Sequence, residues 1–208
     1  MKIIHISDNH GRFPIVPEGN LMIHSGDLLP NSTRGRADVE IAFQAKWCKD
    51  NLDNLYKLIG SRTFLYCAGN HDYFDPVPFL VDNGMNAINI TSKRIVVEGV
   101  SYYGFPHIPY IAGKRNYECT SVMMYNVMQE LRKELIGLDV LVAHAPIYSV
   151  LDKGNRGNVQ MMSMFLYEEN YPKVYLCGHN HESSGVIQDF MGRMVVSNAA
   201  KTVNVIEI

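Results

Sequence analysis

Cysteine is scarce and scattered in this chain: Cys48, Cys67, Cys119 and Cys177 form no Cys-x-x-Cys pair. That spacing excludes a cysteine-bound zinc knot and a disulfide-stapled miniature fold. Cys67 and Cys177 lie inside apolar runs, where a thiol acts as a small hydrophobe, and all four read as reduced. Charge is also thin, with 19% Asp, Glu, Lys and Arg and a net charge of -2, so no basic field is available to wrap a long nucleic acid. Extended nucleic acid would need a partner subunit. No apolar run reaches the ~20 residues of a membrane span, and the stretch before Asp8 is too short for a signal peptide. These absences predict no membrane contact and a cytoplasmic location. Repeats, linkers and low-complexity segments are missing as well, which predicts one domain over residues 1–208, long enough to bury a core without disulfides or a structural metal.

What the sequence does hold is a set of short apolar runs that each end in a polar, metal-competent residue. IIHIS leads into Asp8 and His10, LMIHSG into Asp27, FLYCAG into Asn70 and His71, VLVA into His144, and VYLCG into His179 and His181. Each run has the length of a buried strand and is followed by Gly, Asn, Pro or Ser, residues that stop strands and open loops. In largely parallel sheets the crevice beyond the strands' carboxyl ends is where loops converge and ligands bind.

Between the runs, Val39, Ala42, Phe43, Trp47, Leu55, Tyr56 and Ile59 recur at helical spacing with a few slips, predicting an amphipathic helix from Asp38 to Ile59 with Asp38 as its cap. Met124, Val127, Met128, Leu131 and Leu135 form a cleaner stripe over Ser121 to Ile136, stopped at Gly137. A third helix is predicted over Val159 to Tyr167. AINI, the pair RIVV and VSYYG around Glu98-Gly99, the pair GVIQDF and RMVVSN around Met191-Gly192, and TVNVIEI read as strands and hairpins. The fold class is therefore α/β, with a mixed sheet or two packed mixed sheets flanked by helices.

Carboxylate oxygen and imidazole nitrogen without thiolate suit Mn, Fe, Zn or Ni. The donors are too many for one tetrahedral ion. Two ions sharing a bridging carboxylate, about 3.5–4 Å apart, need about this many. Two divalent ions against two Asp and a bridging hydroxide leave one positive charge, because His and Asn ligands add none. A third carboxylate would cancel that pull on a phosphate.

In order, the blocks Asp8-Asn9-His10, Gly26-Asp27, Gly69-Asn70-His71-Asp72, Ala143-His144 and Gly178-His179-Asn180-His181 resemble those of the calcineurin-like metallophosphoesterase superfamily. The likeness spans residues 3 to about 200 and is greatest to the small phosphodiesterase-like branch, through ISDNHGR, HSGDLL and CAGNHD. It implies a four-layer αββα sandwich. It implies one divalent ion, manganese first, held by Asp8, His10 and His181, a second held by Asn70, His144 and His179, and Asp27 bridging them. A bridging hydroxide would attack phosphorus in line, with His71 protonating the leaving oxygen as general acid. Pro30 and the Ala145-Pro146 pair depart from the superfamily's Ser/Thr phosphatases and argue against a protein phosphatase. Pro30 also removes the carboxylate that orients the imidazole in those enzymes, which leaves Asp72 or another group to hold His71.

His5 and His24 lie within strand runs and read as core histidines. The loop from Phe105 to Cys119 carries His107, Tyr110, Lys114, Arg115 and Tyr117, long enough to be functional. His107 and Arg115 there, Arg34 after Gly26-Asp27, and Arg156 with Lys153 after His144 are candidate substrate contacts. The expected substrate is a small phosphodiester. A phosphomonoesterase or nuclease subunit is the nearest alternative, and a non-catalytic protein-binding scaffold is the reading from another class.

Overall fold

Alternation along the first strand sets the layering. In β1 (Lys2–Ile6) the side chains of Ile4 and Ile6 join one core while Ile3 joins another, as the two-residue period of a strand buried on both faces requires. The computed structural model describes residues 1–32 and 35–208. After β1 the chain forms β2 (Leu21–His24), α1 (Ala37–Asp50), α2 (Leu52–Ile59), β3 (Thr63–Tyr66), α3 (Val77–Asp82), β4 (Ala87–Asn89), β5 (Arg94–Val97) and β6 (Val100–Phe105). It continues through β7 (Ile108–Pro109), β8 (Glu118–Cys119), α4 (Ser121–Glu134), β9 (Val140–Ala143), α5 (Val159–Tyr167), β10 (Val174–Cys177), β11 (Ile187–Phe190), β12 (Met194–Asn198) and β13 (Val203–Glu207).

One sheet runs β13-β1-β2-β3-β4, parallel from β1 to β4 with β13 antiparallel on the edge. The second runs β11-β12-β10-β9-β6-β5, with a parallel centre and a hairpin at each edge. Ile3, Ile23 and Leu65 from the first sheet meet Tyr102, Val140, Val142 and Leu176 from the second in a shared inner core. Outside, α1, α2 and α3 cover the first sheet through Cys48, Leu55, Ile59 and Leu80, while α4 and α5 cover the second through Met124, Met128, Leu131, Met161 and Phe165. This is the expected α/β sandwich of two mixed sheets flanked by helices. The four cysteines are buried and free.

Local chemistry explains the departures from the predicted elements. The expected helix Asp38–Ile59 is two helices, broken at Asn51 (φ -117°, ψ 21°), whose side-chain amide donates to Trp47 O at 3.0 Å. The slips in the apolar spacing were that joint. Asp38 does not cap α1; it lies in the first turn and pairs with Arg36 at 2.8 Å. α1 also turns a polar face inward: Glu40, Gln44 and Cys48 are buried at i, i+4 and i+8, while Ile41 and Phe43 are exposed. α4 stops at Glu134, where the Arg94 guanidinium donates to the carbonyls of Glu134, Ile136 and Gly137. Both hairpin turns have positive φ at their central residues, Glu98-Gly99 and Met191-Gly192, the conformation a two-residue type I′ turn needs.

Candidate metal centre

Because β1, β2 and β3 run parallel in one sheet and β9 and β10 run parallel in the other, their exits meet at one edge of the sandwich. The His144 Nδ1 to Ser25 O hydrogen bond (2.8 Å) and the His179 N–H to Asp8 Oδ2 bond (2.8 Å) cross from sheet to sheet there. His5 ties the same sheets deeper in, with Nδ1 on Ser197 Oγ and Nε2 on Ser25 Oγ, both at 2.9 Å. His24 accepts from Gly26 N–H at 3.1 Å on Nδ1, so its Nε2–H donates to Asn9 Oδ1 at 2.9 Å. Both are buried structural histidines, and burial pushes each down to about 3.

Asp8 and Asp27 form the buried floor of the centre. His181 Nε2 lies 3.1 Å from Asp8 Oδ1, and Asp27 Oδ2 lies 3.3 Å from His144 Nε2 and 3.7 Å from His10 Nε2. Asn70 Oδ1 is 3.0 Å from His144 Nε2, and the His179 ring centroid is 5.1 Å from that of His144. Ligand-competent atoms of Asp8, His10 and His181, of His10, Asp27 and His71, and of Asp8, Asp27 and His144 fall within 4.8 Å of one another in each trio. Thus all seven predicted ligands and His71 converge, and His71 shares a trio with two of them.

Four of these positions carry backbone strain. Asp8, His10, Asp27 and His179 have φ of 55°, 45°, 60° and 62°, left-handed values that cost non-glycine residues energy and cluster at functional sites. Glycines make room for the floor: a Cβ on Gly69 would strike the Asp27 carboxylate, and one on Gly178 would strike Ser7 Oγ and Asp8 Oδ2.

Burial raises the Asp8 carboxyl, but the hydrogen bond from His181 and the charge of His144 outweigh it and leave the group lowered. Asp27 is driven well below the usual carboxylate range: burial opposes this, and the charge and hydrogen bond of His144 overcome it. For His144 burial acts downward, yet Asp27 and Asp8 raise it to about 9. Burial lowers His10, His71 and His179, the last to about 4, and the Arg115 charge adds to the lowering of His71. In the protein alone, a proton on His144 offsets one of the two buried carboxylate charges. A divalent cation among these oxygen and nitrogen donors can replace that proton, so the residues fit the metal chemistry expected of them.

His71 is held by a residue the sequence reading did not single out. Its Nδ1 meets Asn31 Oδ1, while Asn31 Nδ2 donates to His71 O at 3.0 Å and to Glu40 Oε2 at 3.4 Å. Those two acceptors fix the amide's orientation, so Nδ1 carries the proton and Nε2 is the nitrogen available to the centre. Asp72 does not hold the imidazole. Its carboxylate accepts the backbone N–H groups of Asp27, Leu28, Leu29 and Gly69, bracing the loops after β2 and β3 against each other. Burial and the Asp27 charge raise it to about 6. Gln44 completes the support, donating to Pro30 O and His71 O and accepting from the N–H groups of Tyr73 and Phe74. The only signal in sequence was a Glu and a Gln four apart on a weakly amphipathic helix.

The candidate substrate contacts divide. Arg115 and Arg156 line clefts beside the centre. His107 lines neither; it packs edge-on against Phe105 and Tyr117 with Nδ1 3.4 Å from Cys119 Sγ, and burial lowers it to about 4. Its position at the foot of the loop turns it into the fold. Arg34 lies outside the described residues. Among those described, no helix is long and apolar enough to cross a membrane.

Residues 1–183 match the sequence model of the calcineurin-like phosphoesterases, and the chain belongs to that family of metal-dependent phosphoesterases. It is 26% identical over 200 residues to probable rhamnogalacturonate lyase C of Emericella nidulans, a match covering 89% of this chain and 17% of that protein. It is 24% identical over 220 residues to UPF0046 protein K07C11.7 of Caenorhabditis elegans, covering 97% of this chain and 70% of the relative. To human metallophosphoesterase domain-containing protein 1 it is 26% identical over 223 residues, covering 90% and 63%. The chain thus spans less than two thirds of the fungal and human proteins.

Proposed function

We propose that this chain is a phosphodiesterase that uses two divalent ions, manganese first among Mn, Fe, Zn and Ni, on small phosphate diesters. The observation that carries the reading is the convergence of two buried carboxylates, one amide and the imidazoles at a single sheet edge, with His71 fixed beside them by Asn31. Asp8, His10 and His181 would hold one ion, Asn70, His144 and His179 the other, and Asp27 would be shared. When bound, such ions supply Lewis acidity toward phosphoryl oxygens and acidify water into a nucleophile at neutral pH.

The side chains supply the rest. Two ions and a hydroxide with Asp8 and Asp27 leave a charge of about plus one, matched to a singly charged diester. Hydrolysis forms a bond from water oxygen to phosphorus and breaks the bond to the leaving oxygen. To act as the acid, His71 would carry a second proton on Nε2 as the imidazolium and pass it to the leaving oxygen, becoming neutral imidazole. The proton released by the attacking water restores the imidazolium by the end of the cycle.

The test strips the protein with chelator, restores Mn, and compares bis(4-nitrophenyl) phosphate with 4-nitrophenyl phosphate. Turnover should require metal and favour the diester; a monoester preference would shift the reading to a phosphomonoesterase. His71→Gln should cost roughly a hundredfold, more as the leaving group becomes more basic. An equal loss on alkyl and nitrophenyl esters would remove His71 as the acid.

Asn31 then acts through His71. Asn31→Ala should lower kcat on the diester by about ten- to a hundredfold, in the range of groups that orient a catalytic side chain, with KM little changed. Asn31→Asp, which keeps the acceptor, should retain more of it. Steady-state kinetics on both variants decides this, and a change confined to KM would reassign Asn31 to substrate binding.

A further inference from the structure

The approach to the centre is split by one loop, the turn between β7 and β8. The Glu118 carboxylate accepts four backbone N–H groups, from Ile111, Ala112, Gly113 and Arg115, at 2.7 to 3.0 Å, so the loop is wound around a single side chain. It is pinned to the Gly69-Asn70-His71-Asp72 block: Tyr73 Oη donates to Lys114 O at 3.1 Å, Asn116 N–H to Asn70 O at 3.1 Å, and Asn116 Nδ2 to Asp72 O at 2.7 Å. A wall built this way keeps its shape, because every contact is made by backbone or by a committed polar group.

On one side of the wall lies a cleft of 620 Å³ lined by Asn70, His71, Lys114, Arg115 and His179. On the other lies a cleft of 860 Å³ lined by Tyr110, Lys153, Arg156, Val159, His179 and His181. His179 borders both, so each opens on the same centre. Lys114, Arg115, Lys153 and Arg156 form no ion pair among the described residues, whereas Glu118, which also lines the smaller cleft, is occupied by the loop's own amides. Tyr110 and Val159 leave more than half their surface exposed in the larger cleft.

We infer that the two clefts are the two sides of a diester site, and that the Lys114–Arg115 cleft takes a leaving alcohol bearing a phosphate of its own. The assignment rests on the phosphodiesterase reading: the proton donor stands where the leaving group departs, and His71 borders only the smaller cleft. Its size suits a nucleoside monophosphate, since ligand pockets run from about 300 to 1,000 Å³. The larger cleft, with an exposed aromatic ring and an apolar neighbour, takes the retained group by stacking and burial. The substrate class is thus a short dinucleotide-like diester with an anion on its departing half.

The experiment compares thymidylyl-thymidine with the same dinucleotide carrying an extra phosphate at its 5′ or its 3′ end, using Mn-loaded protein and chromatographic separation of products. The products show which nucleoside departs. A phosphate on that nucleoside should raise kcat/KM roughly tenfold, mainly through KM. The gain should fall to about twofold or less in Lys114→Ala/Arg115→Ala and persist in Lys153→Ala/Arg156→Ala. The loop's own hydrogen bonds at Lys114 and Arg115 are made by backbone atoms, so the first double variant keeps the wall, and its melting temperature checks this. Turnover of plain thymidylyl-thymidine without the gain, or a gain that survives the Lys114/Arg115 variant, overturns the subsite alone. Failure to turn over any dinucleotide or bis(4-nitrophenyl) phosphate overturns the phosphodiesterase reading and the subsite with it.

Discussion

Asp27→Asn is expected to lower turnover of bis(4-nitrophenyl) phosphate by at least about a thousandfold and to leave the purified protein short of both ions. Among the described residues, this side chain touches groups from both sheets and from the block that carries His71. Its Oδ1 accepts the His71 N–H at 2.7 Å, and its Oδ2 lies between His144 and His10. Asparagine keeps the shape and the Oδ1 bond. It replaces Oδ2 with a donor that faces two imidazole nitrogens, and it removes one of two negative charges from a buried floor. If Asp27 is the shared ligand, the several kcal/mol a bound metal gives to a phosphoryl transition state disappear together, and about 4 kcal/mol is a thousandfold in rate. Turnover measured beside metal content by mass spectrometry separates the cases. Two ions per chain with turnover lost would make Asp27 catalytic but not a bridge, and retained turnover would sink the assignment.

Asn31→Ala and Asp27→Asn perturb two levels of the same site, and only one level was legible in sequence. The residues that face the centre were readable because each ends a strand: a buried apolar run followed by Asp, Asn or His has few other uses, and parallel sheets bring such ends together. The residues that hold them were not. Asn31, Glu40, Gln44 and Glu118 act through backbone amides and one imidazole across 3 to 40 positions of chain, and ordinary polar residues in loops and on helices carry no periodic mark of such a task. Asp72 shows the converse. Its place in the block suggested a partner for His71, yet a carboxylate among four unpaired N–H groups is claimed by them. His107 lies away from the clefts for a related reason, since a histidine at the foot of a long loop can turn either way, and the Phe105–Tyr117 side is aromatic.

The fold shows the same division. Sheets and hairpins followed from apolar runs and from Glu98-Gly99 and Met191-Gly192, because local sterics decide those turns. α1 was harder to read: its inward face is built to satisfy loop amides as well as to pack, so the apolar residues that suggested its stripe include the exposed Phe43.

Gly178→Ala should destabilise the protein by about 3 kcal/mol, at the upper end of overpacking costs, and lower its melting temperature by roughly 6 to 12 °C for a chain of this size. Gly178 lies at the exit of β10, directly against the exit of β1. A Cβ there would occupy the place of Ser7 Oγ and Asp8 Oδ2, both buried. Neither neighbour has room to yield. Ser7 Oγ donates to Asp8 Oδ2 at 2.7 Å and to Gly26 O at 3.2 Å, and Asp8 Oδ2 also receives the His179 N–H. Gly178 itself is tied on both sides, by its N–H to His144 O and by its carbonyl to Asn180 N–H. The added methyl must therefore part the two sheets or push Asp8 off the floor, so metal content and turnover should fall along with stability. Ser7→Ala removes the nearest obstructing atom, and in combination with Gly178→Ala it should recover part of the lost stability, a coupling a double-mutant cycle reads directly. Thermal melts of the four proteins supply the cycle. A Gly178→Ala protein melting within about 2 °C of wild type would mean that the sheet ends are not held together as tightly as their hydrogen bonds require.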